Sequence, residues 1–70
     1  GEVENSILFR GVRVEKGAKV KNCVLMQDTV VEAGARLEYI ISDKNVIVSV
    51  GQEVKGTDTF PVFVEKHKRV

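Results

Sequence analysis

Only a few side chains in this sequence could do chemistry, and none has the company that chemistry needs. His67 is the single histidine and could serve as a general base in acyl transfer. It sits in the run Lys66-His67-Lys68-Arg69, with no nucleophile or orienting carboxylate at a fixed spacing beyond Glu65. It therefore reads as a surface histidine. Cys23 is the single cysteine. One Cys and one His cannot assemble a zinc site, and no internal disulfide is possible. Lys44 lies in a polar interruption, Ile40-Ile41-Ser42-Asp43-Lys44-Asn45-Val46. It has two readings: a solvated edge with a surface ion pair worth under ~1 kcal/mol, or a lysine reaching an anion at a domain seam. The residues alone favour the first. The glycines are isolated rather than grouped into a phosphate-cradling loop. The residues thus give no catalytic constellation and no metal site.

Composition narrows the classes further. Eleven basic residues against ten acidic leave a net charge of +1, which supplies no basic excess for nucleic acid. No apolar run approaches the ~20 residues that a membrane-spanning helix needs, and no signal peptide is visible. Cysteine usage suits a reducing compartment, so a cytoplasmic location is expected. The only methionine is Met26, while the chain starts at Gly1. The expectation is a segment of a longer protein. Seventy residues allow one small domain, marginal in isolation, with an aliphatic core.

What could position these residues is a repeat. Gly17, Gly34 and Gly51 recur at intervals of seventeen. Val14, Val31 and Val48 precede them, and Val20, Leu37 and Val54 follow in the same register. Aligning 3–19 with 20–36 gives seven identities in seventeen positions, Asn5/Asn22, Leu8/Leu25 and Ala18/Ala35 among them. Regularity at this interval marks a solenoid with one structural unit per period. A helical pair would need about twice the length. Short β-branched clusters and alternation read instead as strands. Three short strands with tight corners close a triangular coil, and coils stack about 4.8 Å apart through parallel pairing.

The fold class expected is all-β: a left-handed parallel β-helix of hexapeptide-repeat type. Three coils occupy 1–53 (3–19, 20–36 and 37–53). Residues 54–70 form a loop and a capping terminal strand. Large aliphatics such as Val14, Val20 and Met26 would point inward, with Val24 four residues after Val20 and Ile41 and Val46 at apolar positions of the third coil. Ser6, Cys23, Ala18 and Ala35 would sit where the wall bends. Cys23 aligns with Ser6 as a small inward residue, so packing explains it better than reactivity. Gly17, Gly34 and Gly51 would stack on a corner that needs positive φ. Asn5 and Asn22, stacked at a bend, would satisfy backbone groups and need no ligand. The tail from Val64 to Val70 echoes the stretch from Val14 to Val20, which puts His67 at the corner glycine and Lys68 at the inward alanine.

The string from Val3 to Val20, followed by Asn22-Cys23-Val24-Leu25-Met26 and then Ile41-Ser42-Asp43-Lys44-Asn45, resembles the C-terminal β-helix of glucose-1-phosphate adenylyltransferases (ADP-glucose pyrophosphorylases). The likeness covers almost the whole chain. Glu15 and Glu32, where the catalytic type often carries glycine, and the ending from Gly56 to Lys66 are similar to the GlgD-type subunit of bacterial glycogen synthesis. The resemblance implies a nucleotidyltransferase parent whose N-terminal catalytic domain, using Mg²⁺ and ATP to make ADP-glucose, is absent here. The segment itself would carry no catalytic residues and no cofactor. Its partners would be that domain, further nucleotidyltransferase subunits in a homo- or hetero-oligomer, and an anionic small-molecule effector, with neither nucleic acid nor membrane. Lys44 is the residue that matches an effector contact. Ser42 departs from the family's usual isoleucine beside it. Two alternatives share the architecture: a hexapeptide-repeat acyltransferase fragment, and the β-helix of another sugar nucleotidyltransferase, such as a mannose-1-phosphate guanylyltransferase.

Overall fold

The structure is a computed structural model that describes residues 1–70. The chain winds through eleven strands: β1 (Glu2–Glu4), β2 (Ile7–Leu8), β3 (Arg13–Val14), β4 (Lys19–Lys21), β5 (Val24–Leu25), β6 (Val30–Val31), β7 (Arg36–Glu38), β8 (Ile40–Ser42), β9 (Ile47–Val48), β10 (Glu53–Lys55) and β11 (Val62–Val64). Every pairing is parallel, and the strands fall into three sheets: β1-β4-β7-β10, β2-β5-β8-β11 and β3-β6-β9. Through the first three coils each residue faces the one seventeen positions on, as in Val3↔Val20, Leu8↔Leu25 and Val14↔Val31. This is the parallel β-helix of hexapeptide-repeat type expected from the sequence. Its strands are short, at two or three residues each.

The corners explain why the period is seventeen and not eighteen. Each is turned by one residue in the left-handed region: Asn5, Gly11, Gly17, Asn22, Asp28, Gly34, Tyr39, Asn45 and Gly51. They are spaced six, six and five residues apart, which completes one turn of the repeat. Gly17, Gly34 and Gly51 form one stacked corner at φ +78°, +73° and +71°, where an L-residue would carry the Cβ penalty that glycine escapes. Asn5 and Asn22 form another corner, and the Asn5 side-chain amide donates to the Asn22 Oδ1 above it. Asparagine tolerates this backbone region better than other side chains, so the pair needs no ligand to account for it.

The core is aliphatic and fully enclosed in the second coil. Val20, Cys23, Leu25, Val31 and Ala35 are buried, with Leu37, Ile40, Val46 and Val48 above them. Two inward assignments change. Leu25, not Met26, points into the prism, and Val24 faces out. In the third coil Ile40 and Ser42 point in, while Ile41 is half-exposed. Strand alternation forces this, because Cys23 and Leu25 share one face. Ser42 therefore occupies the core position that Leu25 holds one coil below. It is tolerated because Thr29, also buried, lies within 3.2 Å of its hydroxyl and donates to the Asp43 carbonyl. No buried side-chain polar atom lacks a partner.

The fourth coil differs from the others. Val54 and Lys55 continue the first sheet as part of β10, where a loop was expected. The loop is shorter, from Gly56 to Pro61. Beyond it the pairing reads Val62↔Ile40 and Ile47↔Arg69, twenty-two residues apart, so five residues have been inserted. The insertion shifts the tail's register. His67 stacks on Asn45 and Asp28, not on the glycine corner, with φ +62° and its N–H donating to the Lys44 carbonyl. Lys68 takes the position above Val46, not above Ala35. The tail is held by Val70 N–H donating to the Ile47 carbonyl and by Arg69 reaching Glu32 and Ser49.

Candidate functional site

Lys44 stands on the corner that Gly11, Asp28, Asn45 and His67 turn. The backbone ladder at this corner fixes its neighbours: Asp28 donates to the Arg10 carbonyl, Asn45 to that of Gln27, and His67 to that of Lys44. Arg10, Gln27, Lys44 and Lys66 therefore form one column, with neighbouring rungs about 4.8 Å apart. Lys44, Lys66 and Arg10 are exposed and none has an ion-pair partner within 4.0 Å. Three acidic side chains share this edge: Asp43 accepts from the Lys44 backbone N–H at 2.7 Å, Glu65 pairs with Lys68 at 3.4 Å, and the Asp28 carboxylate lies over Gly11, beside Arg10. The two readings of Lys44 can now be weighed. Lys44 is exposed at a solvated edge without an ion pair, and it shares its column with two further unpaired cations, Arg10 and Lys66. Sequence reasoning missed both partners of Lys44. Arg10 was within reach, at twice the repeat interval. Lys66 was hidden by the insertion.

His67 sits on the same edge, exposed, with no carboxylate against its ring. An unsupported imidazole in solvent lacks the orientation a general base needs. Cys23 is buried beneath the wall, its thiol donating to the Lys21 carbonyl while its N–H donates to Ser6 Oγ. Burial pushes the Cys23 thiol above its ordinary range, against smaller opposing effects of backbone hydrogen bonds. Two consequences can be measured. Thiol reagents should modify Cys23 only after unfolding, so labelling in denaturant should exceed native labelling by orders of magnitude. Stability should also fall with alkalinity. The folded pKa is the raised one, so this contribution is intact below about pH 8.5 and declines above it as the unfolded thiol ionises first.

The remaining charged face offers less. The outer columns of the first sheet read Glu2–Lys19–Arg36–Glu53 and Glu4–Lys21–Glu38–Lys55. These signs offset one another within the face, and Lys55 lies 3.8 Å from Glu38. No group of three His, Cys, Asp or Glu side chains could hold a metal ion, and no helix is long and apolar enough to cross a membrane.

The family model described as GlmU-like, C-terminal hexapeptide matches residues 1–60, most of the chain. The chain belongs to that family. Searches of curated proteins and of solved structures returned no match. The GlmU-like hexapeptide assignment accounts for the six-residue corner spacing. It gives a β-helix of the sugar nucleotidyltransferase and acyltransferase kind. The matched span ends before Pro61, so the shifted tail that carries Lys66 and His67 lies outside it.

Proposed function

We propose that this GlmU-like hexapeptide β-helix is the C-terminal regulatory and oligomerisation domain of a glucose-1-phosphate adenylyltransferase subunit of the GlgD type, serving ADP-glucose synthesis for glycogen in the cytoplasm. The observation that carries the reading is the uncommitted cationic column around Lys44, at the residue which the resemblance marks as an effector contact. Its ligand is an anionic small molecule such as a sugar phosphate or nucleotide, bound where this domain meets its neighbours. Mg²⁺ and ATP belong to the catalytic domain; the acidic residues of this chain do not fit a metal, and no step is assigned to them. In the full-length assembly, Lys44→Ala should weaken activation by an anionic effector about tenfold or more, as loss of a charge-assisted contact implies. Unactivated turnover should stay as it was. An unaltered effector response removes Lys44 from the site.

The family description itself favours a second reading: a hexapeptide-repeat acyltransferase fragment, or the β-helix of a different sugar nucleotidyltransferase. His67 at an exposed, unsupported corner argues against the acyltransferase. Saturable binding of acetyl-coenzyme A would reverse that order.

A further inference from the structure

The three faces of the prism are not alike. The outer face of the second sheet carries one column without a single charge: Ile7, Val24, Ile41 and Phe63, in register through all four coils. Ile7 is 60% exposed and Phe63 57%. The neighbouring first sheet is charged at every outward position of its two columns. So the apolar face is not a general property of the fold.

Two features lie at opposite ends of one corner of this face. In the fourth coil, the five inserted residues project Phe60, which is 81% exposed. The loop is braced: Thr57 and Phe60 exchange both backbone hydrogen bonds at 3.2 Å, and the Phe60 N–H also meets Thr57 Oγ1 at 3.1 Å. Phe60 is thus a preorganised knob. Below it, at the same corner of the first two coils, lies a groove of about 540 Å³ lined by Val3, Asn5, Ile7, Asn22, Val24 and, above them, Tyr39.

We propose that this face is the contact between two copies of the chain, related by a two-fold axis that lies in the interface parallel to the strands. Such an axis turns the stack over but leaves each corner on its own side. The fourth coil of one copy then meets the first coil of the other, and each Phe60 enters the other copy's groove. Ile7 packs on the second copy's Phe63, and Val24 on the second copy's Ile41. This is the self-complementarity that an isologous contact demands. Ile7, Phe9, Phe60 and Phe63 all stand bare on this face, between 46% and 81% exposed, the kind of contiguous apolar patch that marks a contact surface. The column itself carries no charge. Beside it on the same face run Phe9, Met26, Asp43 and Glu65, and the axis sets Asp43 over the second copy's Met26 and Glu65 over its Phe9, so no like charges are brought together.

The inference rests on the oligomerisation half of the reading above, and not on Lys44 or the chemistry of the parent. Sedimentation equilibrium of the chain, from low micromolar to millimolar, should show the mass rising from one copy towards two. Phe60→Asp should weaken that association about tenfold or more, as for a central aromatic contact. It should leave the melting temperature at low concentration nearly unchanged, because Phe60 buries little within one copy. The double variant Ile7→Cys/Phe60→Cys should form a disulfide-linked dimer under mild oxidation. Within one chain these sites lie three rungs apart, roughly 14 Å, beyond the ~7 Å a disulfide can bridge. A monomer at every concentration overturns the proposal, and leaves the face to a different protein or domain. A dimer indifferent to Phe60→Asp, or assembly into trimers or open chains, also overturns this contact but leaves self-association itself standing.

Discussion

Val31→Asp should leave the chain unfolded at neutral pH. Val31 is wholly buried in the second coil, with coils above and below it. Removing the valine forfeits about 2–3 kcal/mol of apolar burial. The carboxylate then has no partner among Val14, Val48 and their neighbours. A buried carboxyl responds by raising its pKa by up to ~3–5 units, at 1.36 kcal/mol each. The combined loss of about 6–10 kcal/mol rivals the whole stability of a seventy-residue domain, roughly 4–10 kcal/mol. The adjacent Val30 supplies the control. It is half-buried and outward-facing, so Val30→Asp should remain folded. The pH dependence has a definite sign. The folded pKa of the new carboxyl is the raised one, so acidification below it should restore part of the lost stability. Far-ultraviolet circular dichroism during thermal melting distinguishes the cases. Equal melting of Val31→Asp and the parent chain would remove Val31 from the interior and, with it, the stacked-coil reading of the repeat.

How far the sequence reveals this fold depends on the face. Where the outside is charged, as in Lys19-Val20-Lys21 and Arg36-Leu37-Glu38, alternation picks out the inward residue without ambiguity. Where both sides of a strand are apolar, alternation disappears. Ile7-Leu8-Phe9 and Val24-Leu25-Met26 have no polar residue to mark the outside, so the sequence does not separate Met26 from Leu25 as the core residue. The same ambiguity is informative. A two-sided apolar strand in a solenoid whose core is already full signals a second surface to cover, and those strands form the face proposed for the contact between copies.

The candidate site was legible only to one coil. Lys44 stands out as a polar break in an apolar stretch, and Arg10 follows from the period. Lys66 and His67 do not, because five residues inserted after β10 desynchronise sequence distance from height in the stack. The similarity of the tail to the stretch from Val14 to Val20 pointed to a different corner. Hydrogen bonding decides the register: the ladder continues from Val62↔Ile40 through Arg69↔Ile47, and local sequence likeness contributes no such bonds. Ser42 and Thr29 were illegible for another reason. A polar residue at a core position reads as a departure from pattern until its partner, thirteen residues away, is brought beside it.

Gly56→Ala tests the insertion itself and should cost more than the same change at a corner glycine. Gly34 has φ +73° but open space where a Cβ would go, the nearest atom being 4.0 Å off. Its cost is backbone strain alone, about 1–2 kcal/mol. Gly56 is the reverse. It is buried, and a Cβ there would lie 2.7 Å from the Tyr39 carbonyl oxygen, 2.8 Å from the Val62 nitrogen and 3.0 Å from the Phe60 carbonyl oxygen. All three are backbone atoms. Two of them make the 3.0 Å hydrogen bond from Val62 to Tyr39 that returns the chain to the second sheet. A side-chain neighbour could rotate away; these cannot move without opening that bond. Overpacking of this kind costs about 1–3 kcal/mol, and a broken buried hydrogen bond adds about 1–3 more. At about 4–8 °C per kcal/mol for a domain of this size, the melting temperature should fall by at least ~10 °C. The knob moves with the loop, so Gly56→Ala should also weaken association between copies even where the monomer stays folded. Gly34→Ala lies on the far corner and should leave association intact. If the two variants melt alike and associate alike, steric closure at Gly56 is not what sets the loop. The fourth coil would then have to be positioned by its strand pairing alone.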